Sequence, residues 1–288
     1  MSALGRFNDL TITAVTARGA LLDGGEAGEL LLPAPELPRG SGPGMTVKVF
    51  LYLDADDRVV PTTTAPAAQV REAAYLKIVT VNDAGAFLNW GLPKDLLLPW
   101  GEVKREQKRL IVAGRNILVC VFQAEDGRIA ASARLDDFLE DEADGFKEGD
   151  RVSLLIADRT DLGLRVIVNH RYWGLVHNNE VFGTVPRGRR QDGYVKALRP
   201  DRKLNIALSA PGYAKVDAVA AKILKVLARH GGSMAVSDKT PPEEIYALFG
   251  VSKKVFKQTI GALYKNRTIL MDEAGIHRAS PHRPAAGP

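Results

Sequence analysis

Over roughly the first 212 residues apolar and polar side chains alternate in short runs, and the runs are separated by Gly, Pro, Asn and Asp. A period of two puts successive side chains on opposite faces of a strand. The runs Val47-Lys48-Val49-Phe50-Leu51-Tyr52, Leu76-Lys77-Ile78-Val79-Thr80-Val81 and Ile117 to Phe122 are therefore predicted strands. So are Arg151 to Ile156, Arg165 to Asn169 and Lys203 to Ser209. Asp54 to Asp57, Asn82 to Gly85 and Glu125-Asp126-Gly127 supply turn residues between them. Pro33 to Pro43 is too rich in Pro and Gly for a helix or a central strand. Lys104 to Arg109 is a basic, polar stretch, and Asp136 to Asp144 reads as a solvated acidic connector with one helical turn.

From about residue 213 the period changes to 3.6. Val216, Val219, Ala220, Ile223, Leu224 and Leu227 share one helical face, and Gly231-Gly232 ends that helix. Pro241-Pro242-Glu243-Glu244 starts a second helix, with proline and acids in its first turn. Ser252 can cap a third, reaching about Asn266. Thr268 to Met271 and Ile276 to Arg278 then form a hairpin with Asp272-Glu273 at its tip. Three helices and a hairpin is the order of a winged helix. The Pro-, Ala- and Gly-rich residues 280–288 read as a disordered tail.

A single pattern recurs across the strand-rich region. Gly19-Ala20-Leu21-Leu22 is followed by Leu30-Leu31-Leu32-Pro33, and Gly85-Ala86-Phe87-Leu88 by Leu96-Leu97-Leu98-Pro99. Gly and Pro are 14 residues apart in both. A looser copy runs from Gly163 to His177 with the same spacing. Repetition at about 66 and then 78 residues marks an array of one small module. The expected modules are residues 1–64, 65–143 and 144–212, followed by a winged helix over 213–279. The fold class is mainly β with a C-terminal α+β domain, and short connectors suggest a compact row.

Bulk numbers narrow the function. The 288 residues allow two to four small domains. No apolar run approaches the ~20 residues that span a bilayer, and no leader-like segment opens the chain, so a cytoplasmic protein is expected. The single Cys120 lies in an apolar run and reads as a buried strand residue rather than a reactive thiol. Charge is uneven. Residues 1–143 carry 15 Lys and Arg against 20 Asp and Glu. Residues 144–212 carry 12 against 8, and residues 213–288 carry 12 against 6. A basic half of this kind suits a polyanion.

Single-stranded RNA needs flat side chains for its bases and cations for its phosphates. The third module has both. Tyr172, Trp173, His177 and Tyr194 are the flat groups. Arg187, Arg189 and Arg190 lie in one loop, and Arg199, Arg202 and Lys203 in another. A filled barrel end and a solvated arginine loop would have the same sequence. In the third helix Lys254, Lys257, Gln258, Gly261 and Lys265 share a basic face. His170 and His177 stand seven apart with no Cys nearby, which does not suit a metal, and no cofactor motif occurs. No GxSxG, HExxH or CxxC is present, so a non-catalytic role is expected.

Gly85-Ala86-Phe87, then Gly127-Arg128-Ile129, and Gly174-Leu175-Val176-His177 in the next module resemble the S1 RNA-binding pattern. The order of three such modules and a winged helix resembles the conserved virulence factor B family. Phe50-Leu51-Tyr52, Gly193-Tyr194-Val195-Lys196 and Ser252 to Lys257 carry that resemblance locally. It implies three tandem S1-like OB-fold barrels followed by a winged-helix domain, and an RNA-binding regulatory role without a catalytic site. It adds Phe87 and Arg128 to the candidate RNA-binding residues. S1 domains usually stack bases at three positions around the turn glycine. Here those hold Arg18, Leu21 and Pro33 in the first module, Ala84, Phe87 and Pro99 in the second, and Leu162, Arg165 and His177 in the third. No module keeps all three aromatic groups, and the first keeps none.

The leading expectation is a single-stranded-RNA-binding regulator of gene expression acting mainly through the third module and the winged helix. One rival is a DNA-binding transcription regulator that uses the winged helix on a duplex, against which the acidic wing tip argues. Another is a docking scaffold on the ribosome or RNA polymerase.

Overall fold

In a computed structural model, residues 3–181, 185–210, 214–272 and 274–279 are described. The expected tail, Glu273 of the wing tip and the junction at 211–213 lie outside them.

The alternating runs become strands. β1 (Phe7–Thr16), β2 (Gly19–Asp23), β3 (Glu29–Pro33), β4 (Thr46–Leu53) and β5 (Val59–Thr62) form one sheet in the order β3-β2-β1-β4-β5. β6 (Ala73–Val81), β7 (Gly85–Asn89), β8 (Leu96–Pro99), β9 (Asn116–Gln123) and β10 (Ile129–Ser132) repeat that order as β10-β9-β6-β7-β8. The third set closes completely. β11 (Arg151–Arg159), β12 (Gly163–Val168), β13 (Tyr172–His177), β14 (Arg190–Leu198) and β15 (Leu204–Ala207) form a barrel, β11-β12-β13-β15-β14. Its closure is a short parallel pair, Gly174 with Leu204 and Leu175 with Asn205.

The 14-residue spacing of the repeat is a hairpin register. Gly19 pairs with Pro33, Gly85 with Pro99 and Gly163 with His177 across β2–β3, β7–β8 and β12–β13. These glycines have φ of +144°, +152° and +153°. A Cβ there would stand 2.0, 2.1 and 2.0 Å from the carbonyl oxygens of Leu32, Leu98 and Val176. Sterics therefore demand glycine three times, whatever each barrel binds.

The barrels meet through apolar seams. Phe50 is fully buried and meets Phe7 and Trp90 edge-on, at centroid distances of 5.6 and 5.8 Å. That joins the first barrel to the second. Ala73, Leu118, Cys120, Leu139, Leu155, Ile167 and Trp173 form one buried cluster between the second and third.

The C-terminal domain is α1 (Ala214–Arg229), β16 (Ser233–Met234), α2 (Pro242–Phe249), α3 (Lys253–Lys265), β17 (Ile269–Asp272) and β18 (Gly275–Arg278). The strand order is β16-β18-β17. β16 adds a strand that the sequence pattern does not announce, because two residues carry no period. Ile223, Leu227, Ile245, Phe249, Phe256 and Ile260 make its core, with Phe249 and Phe256 stacked at 5.1 Å. Ser252 caps α3 by accepting from the Val255 N–H at 3.4 Å. Replacing it with alanine is expected to cost about 0.5–1 kcal/mol of winged-helix stability, readable by urea denaturation.

Candidate nucleic-acid interface

Pleating decides which side chains of the third barrel face outward. On β12 and β13 these are Arg165, Ile167, Trp173, Leu175 and His177, while Leu164, Val166 and Val176 fill the core. The outward face is not uniformly open. Ile167 and Trp173 sit in the seam, and Trp173 is only 6% exposed. The Arg165 guanidinium lies 3.6 Å over its ring. Toward the other end the face opens. Leu162 is 67% exposed, and Leu175 and His177 are half-buried.

There the β11–β12 turn and the β14–β15 loop flank a groove of about 430 Å³. Leu162, Leu175 and Leu204 give it an apolar wall, and Arg165, Arg199 and Lys203 bring cations to it. Such a groove, between the strand 2–3 face and two loops of a five-stranded barrel, is where OB folds hold oligonucleotides. Of the sequence candidates, the fold brings Arg199 and Lys203 together here, with His177 beyond, across from Gly163.

Other candidates have different company. Tyr172 packs edge-on against Phe146 at 5.5 Å, with the Arg171 guanidinium 4.9 Å from its ring. Tyr194 is half-buried on β14, opposite Arg151 and Ala207. The arginine loop lies against the second barrel. A side chain at Gly188 would strike the Tyr75 ring, 1.8 Å away. Arg190 donates to the Ala67 and Ala73 carbonyls at 2.9 and 2.8 Å. Arg187 pairs with Asp158 at 3.2 Å. Arg128 pairs with Asp57 of the first barrel at 2.7 Å. Phe87 is half-buried on β7, opposite Leu97.

The acidic stretch departs from the picture of a free connector. Its helical turn is present, as a 3-10 turn over Leu135–Asp137, but the stretch then runs along the third barrel as a strap. Glu140 bridges to Tyr172, and Trp173 N–H donates to the Glu140 carbonyl at 2.8 Å. Asp136 meets both Lys104 and Arg165 at 3.0 Å. Burial pushes the Asp136 carboxyl up, but hydrogen bonds from Lys104 and Arg165 outweigh that and hold it below the usual range. Glu140 holds Arg171, and Asp144 and Glu142 hold Arg202. Asp141 lies 4.0 Å from Arg165. Arg199 is paired with Asp201 at 2.9 Å. Among the described residues, Arg189 and Lys203 are the candidate cations of this barrel without an acidic or carbonyl partner. The strap itself was legible as an acidic run; its partners on the third barrel, 24 or more residues away, were not.

On α3, Lys254, Lys257 and Lys265 are exposed, and Lys257 reaches Asp238 at 3.3 Å. Tyr264, 53% exposed, lies beside Lys265 and was not singled out from the sequence. At the wing, Asp272 accepts from or pairs with His277 at 2.9 Å, which tempers the charge expected to repel phosphate.

Cys120 is buried in the seam, and burial pushes its thiol up to about 12. At pH 8 the native thiol is thus almost wholly protonated, and protonated thiols are poor nucleophiles. Labelling by a chromogenic disulfide at pH 8 is expected to be slow in the native protein and immediate in denaturant.

Among the described residues no helix is long and apolar enough to cross a membrane. A row of S1-type barrels ending in a winged helix defines a nucleic-acid-binding regulatory protein. The S1 domain family matches residues 4–64, and the CvfB-like winged helix domain family matches residues 221–277. The conserved virulence factor B of Staphylococcus saprophyticus is 23% identical over 237 residues, covering 81% of this chain and 79% of that protein. Protein YitL of Bacillus subtilis is 26% identical over 271 residues, covering 91% and 89%. The two matched domains, with these relatives over most of the chain, support the conserved virulence factor B family. A crystal structure titled as a multidomain protein with nucleic acid binding domains, from Streptococcus pneumoniae, covers 96% of this chain and 98% of its own at 24% identity and a TM-score of 0.42.

Proposed function

We propose that this protein binds single-stranded RNA and regulates gene expression through that binding, without catalysing a reaction. The groove of the third barrel is the main strand-binding surface, and the basic face of α3 adds phosphate contacts. The observation that carries this reading is the groove itself. It offers apolar surface for bases beside Arg199 and Lys203 for phosphates, on the face that OB folds use. A cytoplasmic site of action fits such a role.

Fluorescence anisotropy of labelled single-stranded RNA, single-stranded DNA and duplex DNA at two salt concentrations tests it. Tightest binding to single-stranded RNA, weakening as salt rises, is the expected result. Tightest binding to duplex DNA would move the function to α3. No binding to any of the three would leave docking on a ribosome or RNA polymerase, for which exposed Tyr264 and Leu270 are suitable contacts.

A further inference from the structure

We infer that an RNA strand leaving the groove of the third barrel crosses the cleft between the second and third barrels and is held beyond it by the basic turn Arg105–Leu110 of the second barrel. The inference rests on the single-stranded RNA reading and extends the strand onto a surface that this reading leaves unused.

The turn is a 3-10 segment in the connection from β8 to β9. Val103 and Ile111, on either side of it, are buried in the core of the second barrel. Pinned at both ends, the segment between them leaves its charged side chains in solvent. Arg105, Lys108 and Arg109 are exposed, and none has a carboxylate partner among the described residues. Lys108 lies 5.7 Å from the centre of the Trp100 ring. With Lys104, the stretch holds four of the fifteen Lys and Arg of residues 1–143, within six positions and against one acid, Glu106. Scattered charges are enough for solubility. Four cations gathered on one turn repel one another, and a polyanion laid across them relieves that repulsion.

Position ties the turn to the groove. Lys104, Gln107 and Leu110 form one bank of a cleft of about 320 Å³, and Asp158, Arg165 and Arg187 of the third barrel form the other. Arg165 and Trp173 line both this cleft and the groove, so the two hollows adjoin. Within the cleft the cations are already matched. Lys104 and Arg165 each meet Asp136 at 3.0 Å, and Arg187 meets Asp158 at 3.2 Å. Phosphates therefore gain most beyond it, where Arg105, Lys108 and Arg109 have no carboxylate to displace. Apolar surface accompanies them, since Leu110 is 52% exposed and Val112 47%. Cations beside open apolar side chains are the combination that the groove itself presents to a strand.

The test uses the full chain and two labelled oligouridylates. One has about 6 nucleotides, within the span of a single OB groove, and one about 20, long enough to reach a second barrel. Arg105→Gln, Lys108→Gln and Arg109→Gln together should weaken binding of the long oligomer roughly tenfold at low salt. They should also flatten its plot of log affinity against log salt by about 2, at ~0.7 per contact. The short oligomer should bind as before, which also shows that the variant is folded. Arg105→Gln with Arg109→Gln spares the contact of Lys108 with Trp100 and should flatten the slope by about 1.4. Arg18→Gln, Arg39→Gln and Lys48→Gln in the first barrel remove the same charge, and Lys48 likewise lies over a ring, that of Phe7. That protein should bind both oligomers nearly as the unaltered one does. An unchanged long oligomer, an equal loss on both lengths, or an equal loss in the first-barrel variant would overturn the path alone. Failure of both oligomers to bind the unaltered protein would overturn the RNA reading, and the path with it.

Discussion

Gly85→Ala and Gly163→Ala are each expected to destabilise their barrel by about 3 kcal/mol or more, a large share of the 5–15 kcal/mol that holds a typical domain together. Two costs combine. The backbone at these residues has φ of +152° and +153°, where an L side chain is strained. The added Cβ would also lie 2.1 Å from Leu98 O or 2.0 Å from Val176 O, and a carbonyl in a strand ladder cannot swing aside as a side-chain end can. Relief requires opening the hairpin at the pair of residues that sets its register. Gly101→Ala is the control, since a Cβ there meets nothing within 4 Å. Urea unfolding followed by circular dichroism reads the difference. A Gly85→Ala protein that unfolds with the unaltered one would show that the repeat is kept for something other than the hairpin. In Gly163→Ala, RNA binding should fall with the barrel, because the groove is built on β12 and β13.

The same glycines explain why the fold was legible. A steric requirement at one cross-strand pair recurs wherever the hairpin recurs, so it shows in the sequence as a fixed spacing. Alternation then places the strands, and the change of period near residue 213 places the helices. β16 escaped because two residues have no pattern. The seams were partly written in the chain. Ile117 to Phe122 and Leu154 to Ala157 are continuously apolar, the mark of strands buried on both faces. Cys120, Leu118 and Leu155 do face the seam. The same logic could have moved Trp173 there, since it leaves the barrel on the side of Ile167. What no local pattern holds is the commitment of each cation. Arg187, Arg189 and Arg190 look alike in sequence. In the structure one is paired with Asp158, one has no side-chain partner among the described residues and one fastens two barrels together.

Converting Asp136, Asp141, Glu142 and Asp144 to their amides is expected to tighten RNA binding roughly tenfold at low salt. These carboxylates occupy Arg165 and Arg202, two cations beside the proposed strand path. A phosphate reaching either must displace a carboxylate, so each pair subtracts from the gain of binding. Exposed ion pairs contribute only about 0–1 kcal/mol each to folding, so the barrel should tolerate the change. Two freed cations that each take a phosphate should steepen the plot of log affinity against log salt by about 1.4, at ~0.7 per contact on a single strand. Removing four negative charges would also raise affinity through the general field of the protein. A charge-matched variant separates the effects: Asp9, Asp23, Glu26 and Glu29 of the first barrel, converted to amides, change the net charge equally without freeing Arg165 or Arg202. The field acts in both proteins, and new phosphate contacts in the strap variant alone. Lys203→Ala supplies the opposite sign. Lys203 has no carboxylate partner among the described residues, so its loss should weaken binding and flatten the slope by about 0.7, whereas Arg202→Ala in the otherwise unaltered protein should change little. If the strap variant and the distant variant tighten binding equally, with the same slope, the strap does not compete with RNA, and the strand runs elsewhere on the barrel.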